Sequence, residues 1–289
     1  MRTHRYALTG HTLAAAVAVL ASGCKGSTPV TPPAVINTAP IIDSLTMASA
    51  RAEADRPIQV TAVVRDAEST IDKLTYTWSA SPQAGSFGGT MSFIGNQVIN
   101  TWWPPKGETT PDVYTITLTV SEAYTSAGQA KQNVVPSSTT VHYNDSLKEM
   151  TDLAYDFLVY KFGNFNVSPA EAVSNFSNSC PGKAAEMHQI ENNRRDYHIL
   201  SASFPAPVAS TNSSLTTGKV EGPCTFEDIP GPGQDNEGRR EFVHGTCLLT
   251  TVYESETFRW RLCDSFFNGP HYTELASIRN RVPGRPYVR

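Results

Sequence analysis

The apolar pattern of this chain changes period once, near Asn144, and that change limits what each side can fold into. Before it, apolar residues alternate with period two. In Val113–Val120, Tyr114, Ile116, Leu118 and Val120 face one way and Thr115, Thr117 and Thr119 the other. Strands with one apolar and one wet face suit two sheets packed face to face. Pro57–Val64 and Leu74–Ser79 read the same way, and Asn133–Tyr143, interrupted by Pro136, closes the series. After Asn144, Leu147, Met150, Leu153, Ala154, Phe157, Leu158 and Phe162 recur at helical spacing behind a capping Asp145 or Ser146. Ser168-Pro169-Ala170-Glu171 starts a second helix, and 182–197 reads as a third. Strand-like segments follow at Ile199–Pro205, Thr217–Phe226, Arg240–Tyr253 and Thr257–Phe266, with a Gly/Pro-rich loop at 229–238. Helices followed by antiparallel strands give an α+β class, with N-terminal helices packed on a curled antiparallel sheet. The expectation is two domains: an all-β sandwich over 41–143 and a helix-plus-sheet domain over 144–272.

The N-terminus sets the expected address. Arg2, His4 and Arg5 precede an apolar run from Leu13 to Ala21, about half of the roughly 20 residues a permanent span needs. Leu20-Ala21-Ser22-Gly23-Cys24 follows and resembles the lipobox of bacterial lipoproteins, with its leucine one place early. The resemblance implies a signal peptide over 1–23 and a lipid-bearing Cys24, placing the protein in the cell envelope on a membrane surface. The alternative is a plain secretory signal cut near Ala21, with Cys24 incidental. Residues 24–40, rich in Pro, Ser and Thr, read as a tether, extended at about 3.1 Å per residue. A net charge of −4 gives no reason to expect nucleic acid as a partner.

Two further resemblances concern fold. "DKLTYTWSAS", "GSFGG", "TWWPP" and "DVYTITLTVSE" together are similar to bacterial immunoglobulin-like domains of the polycystic-kidney-disease type. That resemblance implies a core Trp78 on the third strand and Tyr114 at the start of the sixth. "SETFRWRLCDSF" and the order of elements over 146–267 resemble nuclear transport factor 2-like domains, which hold a pocket between helices and sheet. Residues placed to reach such a pocket are Tyr155, Asp156 and Tyr160 on the first helix and His188 and Asp196 on the third. A base and a donor in an apolar pocket can move protons, as in the isomerases and dehydratases of that group.

Five cysteines leave an even four once Cys24 is set aside. A turn centred on Ser255 would bring Cys247 opposite Cys263 if its loop is odd, leaving Cys180 to pair with Cys224; the two other connectivities stay open. With that register, Phe258, Trp260, Leu262 and Phe266 take the core face. Asp66, Glu68 and Asp72 read as a solvated acidic turn, the alternative being a Ca²⁺ site built on their hard oxygens. No Gly-x-Ser-x-Gly elbow, phosphate loop or metal-ligand spacing is present, and no cofactor is expected. Residues 273–289 form a basic tail with Arg279, Arg281, Arg285 and Arg289. The expected function is that of a non-catalytic binding or assembly module on a membrane, its partner another envelope protein or a small apolar ligand. An isomerase-like enzyme and a purely structural adhesion module are the alternatives.

Overall fold

The computed structural model describes residues 37–107, 112–234 and 236–269. The signal segment, Cys24, most of the tether and the basic tail lie outside them. In chain order the strands are β1 (Ile41–Met47), β2 (Arg51–Glu53), β3 (Ile58–Arg65), β4 (Thr75–Ser81), β5 (Ser86–Ile94), β6 (Gln97–Trp103), β7 (Val113–Ser126) and β8 (Gln129–Asn144). They form two four-stranded sheets, ordered β1-β3-β6-β5 and β2-β8-β7-β4. All pairings are antiparallel except β2 with β8. The chain thus leaves β1 in one sheet and re-enters as β2 in the other. This is the strand order of an immunoglobulin-like sandwich.

The alternation seen in the sequence is what buries the core. Tyr114, Ile116, Leu118 and Val120 are fully buried, as are Val60, Ala62 and Val64 on the facing sheet. Trp78 is only half-buried; the fully buried indole is Trp102 of β6, its ring 5.2 Å from Tyr114. Trp78 packs against the core as expected, but from edge strand β4, which leaves it half-buried, whereas β6 is central. Gly85 lets the chain pass this indole: a Cβ there would lie 2.4 Å from the Trp103 carbonyl oxygen, and its φ is +71°. Pro136 pairs with Thr119 on β7, and no strand flanks it on the other side, so its missing N–H costs no ladder bond.

Beyond β8 come α1 (Ser146–Tyr155), a π-helical continuation over Asp156–Lys161, α2 (Pro169–Ala172) and α3 (Gly182–Asp196). Asp145 caps α1 by accepting from the Lys148 N–H, and Ser168 caps α2 by accepting from the Glu171 N–H. Strands β9 (Tyr197–Ser203), β10 (Val208–Thr211), β11 (Thr217–Pro230), β12 (Glu241–Glu254) and β13 (Arg259–Asn268) complete the chain. They form one antiparallel sheet, β10-β11-β12-β13, with β9 beside the other half of β11. The helices cover its concave face. Met150, Phe157, Phe176, Ile190, Phe204, Leu249, Trp260 and Leu262 fill the space between, each at most 2% exposed.

The disulfides join Cys180 to Cys263 and Cys224 to Cys247, not the expected partners. The cause is register. The β12–β13 turn closes between Glu254 and Arg259, later than a turn centred on Ser255, and a bulge leaves Cys263 unpaired between Leu262 and Asp264. Cys247 therefore lies opposite Phe267, well away from Cys263. On β11 and β12, Cys224 faces Gly245 and Gly222 faces Cys247, so the two cysteines are diagonal neighbours. The same bulge shifts the core face. Trp260 and Leu262 are buried as the alternation requires, but Ser265 then takes the inner side and Phe266 is half-exposed. Phe258 falls in the turn and stacks on His142 with ring centroids 3.6 Å apart. Cys180–Cys263 fastens the segment after α2 to the edge of β13, where Ser177 N–H donates to the Leu262 carbonyl at 2.8 Å.

Candidate functional site

The densest polar chemistry lies where β2 and the end of β8 meet α1 and β13. Arg51 projects from the short strand β2. Its guanidinium donates to Glu53 Oε2 at 2.8 Å, to Ser146 Oγ at 2.7 Å and to the Leu215 carbonyl at 3.0 Å. It also lies 3.6 Å above the Tyr253 ring. Ser146, the first residue of α1, uses its hydroxyl in full: it donates to Glu53 Oε2 and accepts from Arg51 and from Trp260 Nε1 at 2.7 Å. The Ser146 N–H, orphaned at a helix start, donates to Glu53 Oε1 at 2.7 Å. Arg51 and Glu53 thus tie the sandwich to the first turn of α1 and to the third sheet.

Beside this cluster, Asn144 donates to the Phe258 carbonyl and to Glu149 Oε2, and accepts from the Tyr253 hydroxyl. Glu149 Oε1 accepts from the Trp260 N–H at 3.2 Å. Burial raises the Glu149 pKa above its ordinary value, opposed by these hydrogen bonds and by Arg259 and Arg51. Burial is also the main cause that pushes the Tyr253 phenol up to about 12. Arg259 pairs with Asp112, which is a further sandwich-to-sheet link. The Ser146 hydroxyl is 1% exposed as a residue and has no unused hydrogen-bonding capacity, so it offers a substrate neither access nor a lone pair. The chemistry of this cluster is that of a structural joint.

On its outer side the joint is flanked by a cleft of about 480 Å³. Ala54 and Leu147 meet Pro207, Val208 and Ala209 there, and Asp55, Lys106, Asp145, Lys148 and Asp152 rim it. Lys106 pairs with Asp55 at 2.5 Å and Lys148 with Asp152 at 2.7 Å. Asp55 raises the Lys106 pKa through a hydrogen bond and its charge.

The residues expected to line a helix–sheet pocket are not brought together. Tyr155 and Tyr160 are exposed and touch each other, with ring centroids 6.0 Å apart. Asp156 pairs with Lys161 at 2.7 Å, one π-turn on, and accepts from Asn175. His188 is on the exposed face of α3 beside Glu191, and Asp196 pairs with Arg195. The space they were expected to share is filled by the aromatic core. The acidic turn is also not a cage: Asp66 Oδ1 accepts from the Glu68 and Ser69 N–H groups, and Glu68 accepts from Thr38. Asp72 has a lowered pKa, chiefly from a hydrogen bond with the Thr70 side chain. Among the described residues no group of three His, Cys, Asp or Glu could hold a metal ion. Among them, too, no helix is long and apolar enough to cross a membrane.

The joint residues were missed in the sequence because each sits inside an ordinary pattern. The available signal was Arg51-Ala52-Glu53, two charges flanking a small apolar residue in a strand-rich stretch, with Trp260 between two arginines far downstream.

No family model and no curated protein sequence matches the chain. Among solved structures, it is similar to the N-terminal Ig1-2 module of the Drosophila receptor protein tyrosine phosphatase DLAR. The identity is 8% and the TM-score 0.25, over 80% of this chain and 97% of that one. The immunoglobulin-like assignment rests on the strand order.

Proposed function

We propose that the protein is an exported envelope lipoprotein held by lipid on Cys24. In this reading a polycystic-kidney-disease-type sandwich is a stiff spacer, and the helix-plus-sheet region it carries is a non-catalytic binding or assembly head of the nuclear transport factor 2-like kind. The observation that carries the reading is polarity. The chain enters the sandwich at the pole where Asn37 reaches Glu122, Thr38 bonds Glu68, and Asn133 bonds the Thr38 carbonyl. It leaves at the opposite pole, past Val113 and His142, into the Arg51–Glu53–Ser146 joint. Glu122 is nine residues along β7 from Val113, so entry and exit are about 30 Å apart at about 3.4 Å per residue. A module anchored at one pole and locked to its neighbour at the other acts as a spacer. What supports a non-catalytic head is the filled concave face and the scattering of the candidate acid and base residues over its surface.

The test is intact-mass analysis of the protein purified from membranes, alongside Cys24→Ser. The reading expects an N-terminal Cys24 bearing acyl mass, and release of the serine variant from the membrane fraction. An unmodified wild-type protein in the soluble fraction overturns the anchor.

A further inference from the structure

We propose that the cleft beside the joint is a strand-addition site, and that the chain's own segment Ile278–Val282 occupies it as an extra strand along β10. Three observations converge. First, β10 is the terminal strand of its sheet, bonded to β11 on one side; among the described residues nothing pairs its other edge. Pro207, Val208 and Ala209 at its start line the cleft, and Val208 is 67% exposed. A free main-chain edge bordered by apolar side chains is what an extended segment needs for β-addition.

Second, the charges are complementary. Glu53 is held by Arg51, and Asp55, Asp145 and Asp152 outnumber Lys106 and Lys148 around the cleft. Residues 270–289 hold Arg279, Arg281, Arg285 and Arg289 against Glu274, so in a chain of net charge −4 the remainder is more acidic than the whole. Within that segment Ile278-Arg279-Asn280-Arg281-Val282 alternates with period two and stops at Pro283. Read as a strand, it presents Ile278 and Val282 on one side and both arginines on the other. The apolar side matches Leu147 and Val208; the arginines match the carboxylate rim.

Third, the reach is sufficient. Val208, Glu221, Leu248 and Phe266 form one row across β10, β11, β12 and β13. Three strand spacings of about 4.8 Å plus three residues along β13 put Gly269 about 17 Å from Val208. The nine residues from Gly269 to Ile278 extend to about 30 Å. Occupation from within the same molecule is therefore possible, at high effective concentration.

The test is amide hydrogen exchange of Val208–Thr211 in the full chain, compared with Arg279→Glu/Arg281→Glu and with a chain ended after Gly269. The proposal expects exchange at β10 to be at least about tenfold slower in the full chain than in either variant. It also expects Arg279→Lys/Arg281→Lys to keep most of the protection, and Asp55→Lys/Asp152→Lys to restore it to the charge-reversed tail. Trp260 fluorescence checks that each variant is folded. Equal exchange in all chains overturns the proposal. So does protection that grows with protein concentration, which assigns the strand to a second copy, or protection that needs anionic vesicles, which assigns the arginines to lipid.

Discussion

The two poles of the sandwich are built from similar residues and do opposite things. At the entry pole Glu68, Ser69 and Glu122 bond Asn37, Thr38 and one another on a partly open turn. At the exit pole Arg51, Glu53 and Ser146 make bonds of much the same length, but packed under Tyr253 and Trp260. Water competes for the Glu68–Thr38 bonds, although Glu122 beneath them is itself buried, and it is excluded from the Ser146–Glu53 bonds. The Glu68 bonds are therefore weak surface latches, and the Ser146–Glu53 bonds are costly to break. Location rather than residue type makes one pole a terminus and the other a joint.

The comparison predicts a graded series of losses. Arg51→Ala leaves Glu53 buried without its cation and removes the face packed on Tyr253. Its cost is expected at about 3–5 kcal/mol in urea unfolding, the scale for breaking one side of a buried ion pair. Ser146→Ala orphans the Trp260 indole N–H and removes one of the two donors to Glu53 Oε2, and is expected to cost about 1–3 kcal/mol. At the entry pole Glu68→Ala is expected to cost under about 1 kcal/mol, because its partners regain water. Equal losses at the two poles would remove the distinction.

A subtler difference lies in pH. Burial raises the Glu149 pKa, so the folded protein holds that proton more tightly than the unfolded chain does. Its contribution is most favourable below the ordinary glutamate pKa and is lost as pH rises through the raised one. Glu149→Gln is therefore expected to flatten the decline in stability as pH rises above the ordinary glutamate pKa. An unchanged pH profile would show that Glu149 is not titrating in the joint.

The sandwich was legible because its signal is local. Alternation in Val113–Val120 fixes which side chains go inside, and Tyr114 to Val120 are inside. The helix caps at Asp145 and Ser168 were legible for the same reason. What failed depends on a turn position and a bulge, which no period-two pattern contains. Moving the turn past Ser255 and leaving Cys263 unpaired changed both disulfides and the core face of Phe266. The joint was illegible for a different reason: Arg51 and Trp260 are distant in sequence, and each alone looks like a strand residue. Where the helix–sheet pocket was expected, Phe157, Phe162 and Phe176 pack into the core.

A joint built on Arg51, Glu53 and Ser146 should hold sandwich and head as one body. Spin labels attached without cysteine chemistry at Gln129, on the entry-pole hairpin, and at Glu237, beyond β11, report the distance between the two ends by pulsed electron resonance. A rigid joint gives a single narrow distance in the wild-type protein that broadens in Arg51→Ala. A broad or multiply peaked distribution in the wild-type protein would contradict it.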